Sequence, residues 1–258
     1  MSMIDAAYSM ALNTFKEAVR DRILIVFFLF AILLMASSTI LSWLTVGSEL
    51  KIVTDFGLAA EALFATLIAV FVGINLVHKE VDKRTIYAVL AKPVPRWLFL
   101  VGKYLGLMAV LIVAITLMSV FYLGLVWWKG GVFPGHLVGA LSLSVLEVSV
   151  VTSVAIVFSS FAPPIEAAIF TVGVWAIGHM SWGFAALAER LPSEMLGNTI
   201  GLLYYVLPDL ETFNIRSQVV HDQAVVPSYY VGAFVYAAAY TVAMLALAVL
   251  IFRRRDLK

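Results

Sequence analysis

The chain has no cysteine and little charge. The absence of cysteine excludes disulfides, thiolate zinc sites, iron–sulfur clusters and cysteine nucleophiles. Charged residues make up only 13% of the 258 residues, about half the usual share of a soluble domain. A phosphate-binding G-x-x-x-x-G-K-[ST] loop is also missing: Gly102-Lys103 is followed by Tyr104, and Trp97 stands where the first glycine would be. The chain therefore carries no site of its own for ATP hydrolysis. Nor are there alternating apolar and polar strands, a potassium-type filter, or paired Gly/Pro-broken helices in matching halves. A β-barrel, a channel of that kind and an inverted-repeat carrier are thus not expected.

What is abundant is apolar. Hydrophobic residues reach 63% and mean hydropathy is +1.01. That surplus is too large for one soluble core of this length, so a water-soluble enzyme is excluded and an integral membrane protein is expected. A crossing helix needs about 20 mostly apolar residues. The hydropathy pattern predicts an all-α chain of six spans in one transmembrane domain: 23–46, 56–77, 98–128, 137–161, 165–187 and 229–252. The first apolar run is too long for a signal-peptide core and follows a polar lead, so it reads as a retained span.

The net charge of +1 conceals an asymmetry. Lys16, Arg20, Arg22, Lys79, Lys83, Arg84, Lys92, Arg96, Lys103, Arg253, Arg254, Arg255 and Lys258 fall on one side of a six-span layout. Only Lys51, Lys129, Arg190 and Arg216 fall on the other. The positive-inside rule then predicts that both termini are cytoplasmic. Aromatic pairs at span ends, Trp127–Trp128 and Tyr229–Tyr230, suit interfacial belts.

Three stretches outside the spans carry pattern. In residues 1–22, Ile4, Tyr8, Leu12, Phe15 and Val19 recur at three- and four-residue steps, predicting an amphipathic helix lying flat in the cytoplasmic interface. The loop 78–96 mixes both signs of charge (Lys79, Glu80, Asp82, Lys83, Arg84) with Val81, Ile86, Val89 and Leu90. It reads as a short amphipathic helix stopped by Pro93 and Pro95, with a surface that a soluble partner can grip. The external segment 188–228 includes an apolar patch, 195–206, too short to cross.

Ionisable groups at membrane depth are costly and are functional candidates by default. Glu147, near the middle of the fourth span among Ser142, Ser144, Ser149, Thr152 and Ser153, is the sharpest case. It shares a helical face with Ser144. Two readings stand for it: a polar point lining a translocation path, and a carboxyl that glues helices together. Glu61, about five residues into the second span, is within reach of the interface and is expected to have a structural role. His179 reads as a hydrogen-bonded structural histidine. Glu166, after Pro163–Pro164, reads as an acid at a helix N-terminus. Glu61 and Glu147 look isolated, too few for an ion-driven pump.

At this point a family likeness enters. The stretch Gly57-Leu-Ala-Ala, Leu76-Val-His-Lys-Glu80, Lys83-Arg84-Thr85-Ile86, Leu90-Ala-Lys92-Pro93-Val, Arg96 and Gly102-Lys103-Tyr-Leu-Gly106 resembles the permease subunits of ABC type 2 transporters, and within them the NosY-like branch. Leu207-Pro208-Asp-Leu and Phe213-Asn214 are also similar to that branch.

The resemblance implies a permease dimer, here expected to be a homodimer, served by two cytosolic ABC ATPase subunits that use ATP and Mg. It implies a bacterial inner-membrane location and an export task. It also implies a coupling helix near Glu80–Leu90, with Glu80, Asp82, Lys83, Arg84, Thr85, Ile86 and Tyr87 binding or orienting the ATPase. The N-terminal helix would touch that ATPase too. The external segment would help close the path or dock a periplasmic accessory protein. The chain would have no catalytic residues and no cofactor, and nucleic acid is not an expected partner. No two of the four histidines stand three or four apart and cysteine is absent, so no metal site and no direct copper transport are expected. An alternative of another class is a non-transporting membrane scaffold or mechanotransmitter of an envelope assembly machine.

Overall fold

In the computed structural model, residues 3–43, 49–82, 95–181, 183, 206–221 and 223–254 are described. These residues are helical, without strands. The helices are α1 (Met3–Val19), α2 (Arg22–Ser42), α3 (Glu49–Asp82), α4 (Arg96–Gly130), α5 (Leu137–Ser159), α6 (Pro164–Gly178), α7 (Arg216–Val220) and α8 (Pro227–Arg254), with a 3₁₀ turn at Leu210–Phe213 before α7.

Five of them (α2, α3, α4, α5 and α8) are long and apolar enough to cross a membrane. The predicted spans 1–4 and 6 correspond to these five. The predicted fifth span, 165–187, appears as the shorter apolar helix α6, of 15 residues. Residues 184–205 lie outside the described residues. Some helices run beyond the predicted spans. With 34 residues, α3 runs about 51 Å, well beyond the ~30 Å of a hydrocarbon core. Backbone hydrogen bonding does not stop where the apolar run stops, so the helix continues into the polar stretches on both sides.

The bundle is built around α3 and α5, which are mostly buried; α2 and α8 lie at its periphery. The outer faces are apolar, with Leu29, Phe30 and Leu33 on α2 and Val231, Phe234 and Val242 on α8 all exposed. This is the inverse of a soluble protein, and it suits a lipid solvent. The helices alternate in direction. One end of the bundle, here the near end, holds α1, the start of α4 and the end of α8, where Phe99 stacks on Phe252. The far end gathers the end of α2, the start of α3, the α4–α5 turn and residues 206–221 and 223–227. There Lys129 contacts the Thr39 carbonyl, the Ser42 hydroxyl and Glu49, closing the last turn of α2.

The N-terminal helix forms as its periodicity predicts, and it is held against other helices. It packs on the first half of α4 through Gly102 and Gly106. A Cβ on Gly106 would lie 2.5 Å from Thr14 Cβ and 2.6 Å from the Ala11 carbonyl oxygen. Glycines four apart give one helical face without side chains, so the two backbones approach closely. Beside them Lys103 is buried, 3.9 Å from Glu17 and 6.0 Å over the Phe99 ring. Asp21 then caps α2, accepting from the Ile23 N–H at 2.9 Å.

Candidate functional site

Glu147 sits ten residues into α5, about 15 Å below its far-end start. It is only 4% exposed. A carboxyl at that depth needs partners, and the fold supplies them from α6. Trp175 Nε1 donates to Glu147 Oε1 at 3.0 Å, and His179 Nε2 lies 2.9 Å from the same oxygen. The two rings meet edge-on at 5.2 Å. His179 Nδ1 is 3.4 Å from Glu211 Oε2, and Asn214 Nδ2 donates to Glu211 Oε1 at 3.1 Å. The imidazole thus bridges two carboxylates. A neutral ring has one N–H and can donate to one of them; the imidazolium donates to both.

The regular part of α6 ends at Gly178, after about 22 Å of helix. Pro208 and Leu210 pack against the end of α6, and Gly178 is what lets them approach. A Cβ there would come within 2.7 Å of the Pro208 carbonyl oxygen. Irregular backbone at membrane depth is tolerated only where protein or a cavity surrounds it. Tyrosine hydroxyls of α8 serve this need: Tyr240 donates to the Val206 carbonyl, Tyr229 donates to the Thr212 carbonyl, and Tyr236 accepts from the Asp209 N–H. Asp209 in turn accepts from Ser181 at 2.6 Å and Thr212 at 3.0 Å. Leu210, Phe213, Ile215 and Val219 are buried and anchor the segment. At its end Arg216 Nε lies 2.9 Å from Asp55 Oδ1 of α3.

Between α3, α5, α6 and this segment lies a cavity of about 220 Å³. Ser144, Glu147, Trp175 and His179 line one side, Leu58, Ala59, Ala62 and Leu63 the opposite side, and Phe213–Arg216 the top. Among the described residues no hydrogen bond ends on Glu147 Oε2.

Of the residues singled out in the sequence, Glu147 and Ser144 therefore come together on one cavity wall. Glu147 is not isolated; His179, 32 positions away, is its partner, a pairing that spacing along one helix could not reveal. Glu61 has the contacts of a structural residue, but inside the bundle. It is fully buried where α3 meets α4 and accepts from Ser119 at 2.7 Å. Glu166 stands in the first turn of α6 behind Pro163, as expected. Glu80 and Asp82 belong to the last turn of α3; Lys83, Arg84, Thr85, Ile86 and Tyr87 lie outside the described residues. Among the described residues no group of His, Asp and Glu is disposed to hold a metal ion. Glu147 and Glu211 face opposite edges of the imidazole, so their oxygens do not converge. Sequence reasoning missed Trp175, Glu211, Asp55 and Arg216. The available signal was Arg216, one of only four cations on the predicted external side.

The fold and the site define a class: a multi-pass α-helical membrane protein with a polar cluster inside its bundle, roofed by an irregular segment. The model of the ABC-2 family transporter proteins matches residues 8–257, and the chain belongs to that family. It is accordingly a transmembrane component of an ABC transporter. No curated protein matches the chain.

Proposed function

We propose that this chain is the permease of an ATP-driven export system. In this reading a separate cytosolic ATPase binds the near end, and its hydrolysis is coupled to movement at the far end. The observation that carries the reading is the continuity of α3. This one helix begins at the far end beside the Asp55–Arg216 contact and ends at Asp82, where the charged loop begins. A rigid helix of that length transmits a push on the loop to the roofing segment about 40 Å away. The seating of α1 on α4 supports a second contact point at the same end.

In this reading the chain has six spans, with both termini in the cytoplasm of a bacterial inner membrane. Two copies pair with two ATPase subunits, and Glu80, Asp82, Lys83, Arg84, Thr85, Ile86 and Tyr87 meet the ATPase. Glu147 and Ser144 line part of the path. The resemblance to the NosY-like branch supports work on an envelope partner as well as solute export.

The test is co-purification with the cognate ATPase and its stimulated turnover. Charge reversal at Glu80 and Arg84 together abolishes both if the assignment holds, while unchanged association and turnover refute it. ATP-dependent solute movement in reconstituted vesicles decides between transport and the scaffold alternative.

A further inference from the structure

The cavity beside Glu147 has a composition that selects a ligand. Its lining cations are already matched: Arg216 pairs with Asp55, and His179 lies between Glu147 and Glu211. Three carboxylates thus surround two basic side chains, and the local sum is negative even when His179 is charged. Both bonds to Glu147 end on Oε1. Oε2 belongs to a buried side chain on the cavity wall and has no partner among the described residues. One turn away, Ser144 donates its hydroxyl hydrogen to the Ala140 carbonyl at 3.3 Å, which leaves its oxygen free to accept. The cavity therefore offers two acceptors one helical turn apart. Its aromatic surface comes from Trp175 and Phe213, and the opposing α3 wall is alanine and leucine. An anion would meet Oε2 directly; an ammonium would satisfy it and gain the aromatic surface.

We propose that this cavity binds a small organic cation, a protonated amine with an apolar body. The ammonium is held by Glu147 and Ser144, and the body lies against α3. The proposal deepens the path-lining reading of Glu147 and names its ligand class.

The experiment uses the purified full chain in lipid nanodiscs, with empty nanodiscs as the blank, and requires no ATPase. Failure of this site and failure of ATPase coupling are therefore read separately. The probe is 2-phenylethylammonium at neutral pH, titrated by calorimetry against 2-phenylethanol and phenylacetate, which keep the ring and change the charge. Saturable binding of the ammonium is expected, with both comparators at least tenfold weaker. Glu147→Gln weakens the ammonium at least tenfold. Ala62→Phe, which fills the cavity from α3 and leaves the polar cluster intact, does the same and carries the test should Glu147→Gln fail to fold. Absence of saturable binding, equal binding of ammonium and alcohol, or unchanged affinity in Ala62→Phe overturns the proposal.

Discussion

Two kinds of contact hold the 206–221 segment over the cavity, and their magnitudes say which one keeps it closed. The charged contacts are exposed. Arg216 and Asp55 are 42% and 52% exposed, and Glu211 is 41% exposed opposite His179 at 3.4 Å. Pairs of that kind contribute about 0.2–1 kcal/mol. The apolar anchors are buried. Phe213 is 3% exposed, with its ring 6.0 Å from that of Tyr236, and truncating a buried Phe to Ala costs about 3–5 kcal/mol. Each 1.4 kcal/mol is tenfold in an opening equilibrium. Arg216→Ala should therefore raise the open population at most about fivefold, and Phe213→Ala about a hundredfold or more.

The native lack of cysteine makes the measurement clean, because Val219→Cys introduces the only thiol. Val219 is buried in the same segment, so the rate of maleimide labelling in nanodiscs follows segment release. The expected order is Phe213→Ala far above Arg216→Ala, with Arg216→Ala near the parent. If Arg216→Ala accelerated labelling as much as Phe213→Ala, closure by apolar burial would be refuted and an electrostatic latch would take its place.

Further expectations concern the interior contacts. In a double-mutant cycle of Glu147→Gln and His179→Ala, thermal unfolding should show a coupling of roughly 1–3 kcal/mol, as for contacting groups; additivity within about 0.5 kcal/mol would mean that the 2.9 Å contact is energetically silent. Gly106→Val should destabilise the protein by about 1–3 kcal/mol through overpacking against Thr14 and Ala11. Gly124→Ala, where a Cβ meets nothing within 4 Å, should change the unfolding midpoint little. An equal response at both glycines would contradict the close approach of α1 to α4. Ser119→Ala, which removes the donor to buried Glu61, should cost about 1–3 kcal/mol in the same assay.

Much of the architecture was legible because a bilayer imposes a one-dimensional code. Apolar runs of sufficient length mark helices wherever they pack, and so the five long helices and the amphipathic α1 follow from the residues alone. Prolines 163 and 164, with Glu166 behind them, mark the start of α6 for reasons local to a helix N-terminus. The close approach at Gly178 was not legible in that way. The apolar run around it carries no sign that Pro208 and Leu210 pack against this position.

By itself, the sequence determined that the chain lives in a membrane and that Glu147 and Ser144 share a face. Each of these rests on composition or on spacing within one helix. Only the tertiary structure decided that Glu147 is paired, that its partner is His179, that Glu61 is sealed against Ser119, and that residues 206–221 roof a cavity. The physical reason is that a buried polar group must be satisfied by whatever the fold brings near. Those partners lie 28 to 58 residues away on other helices, at separations that no helical period encodes.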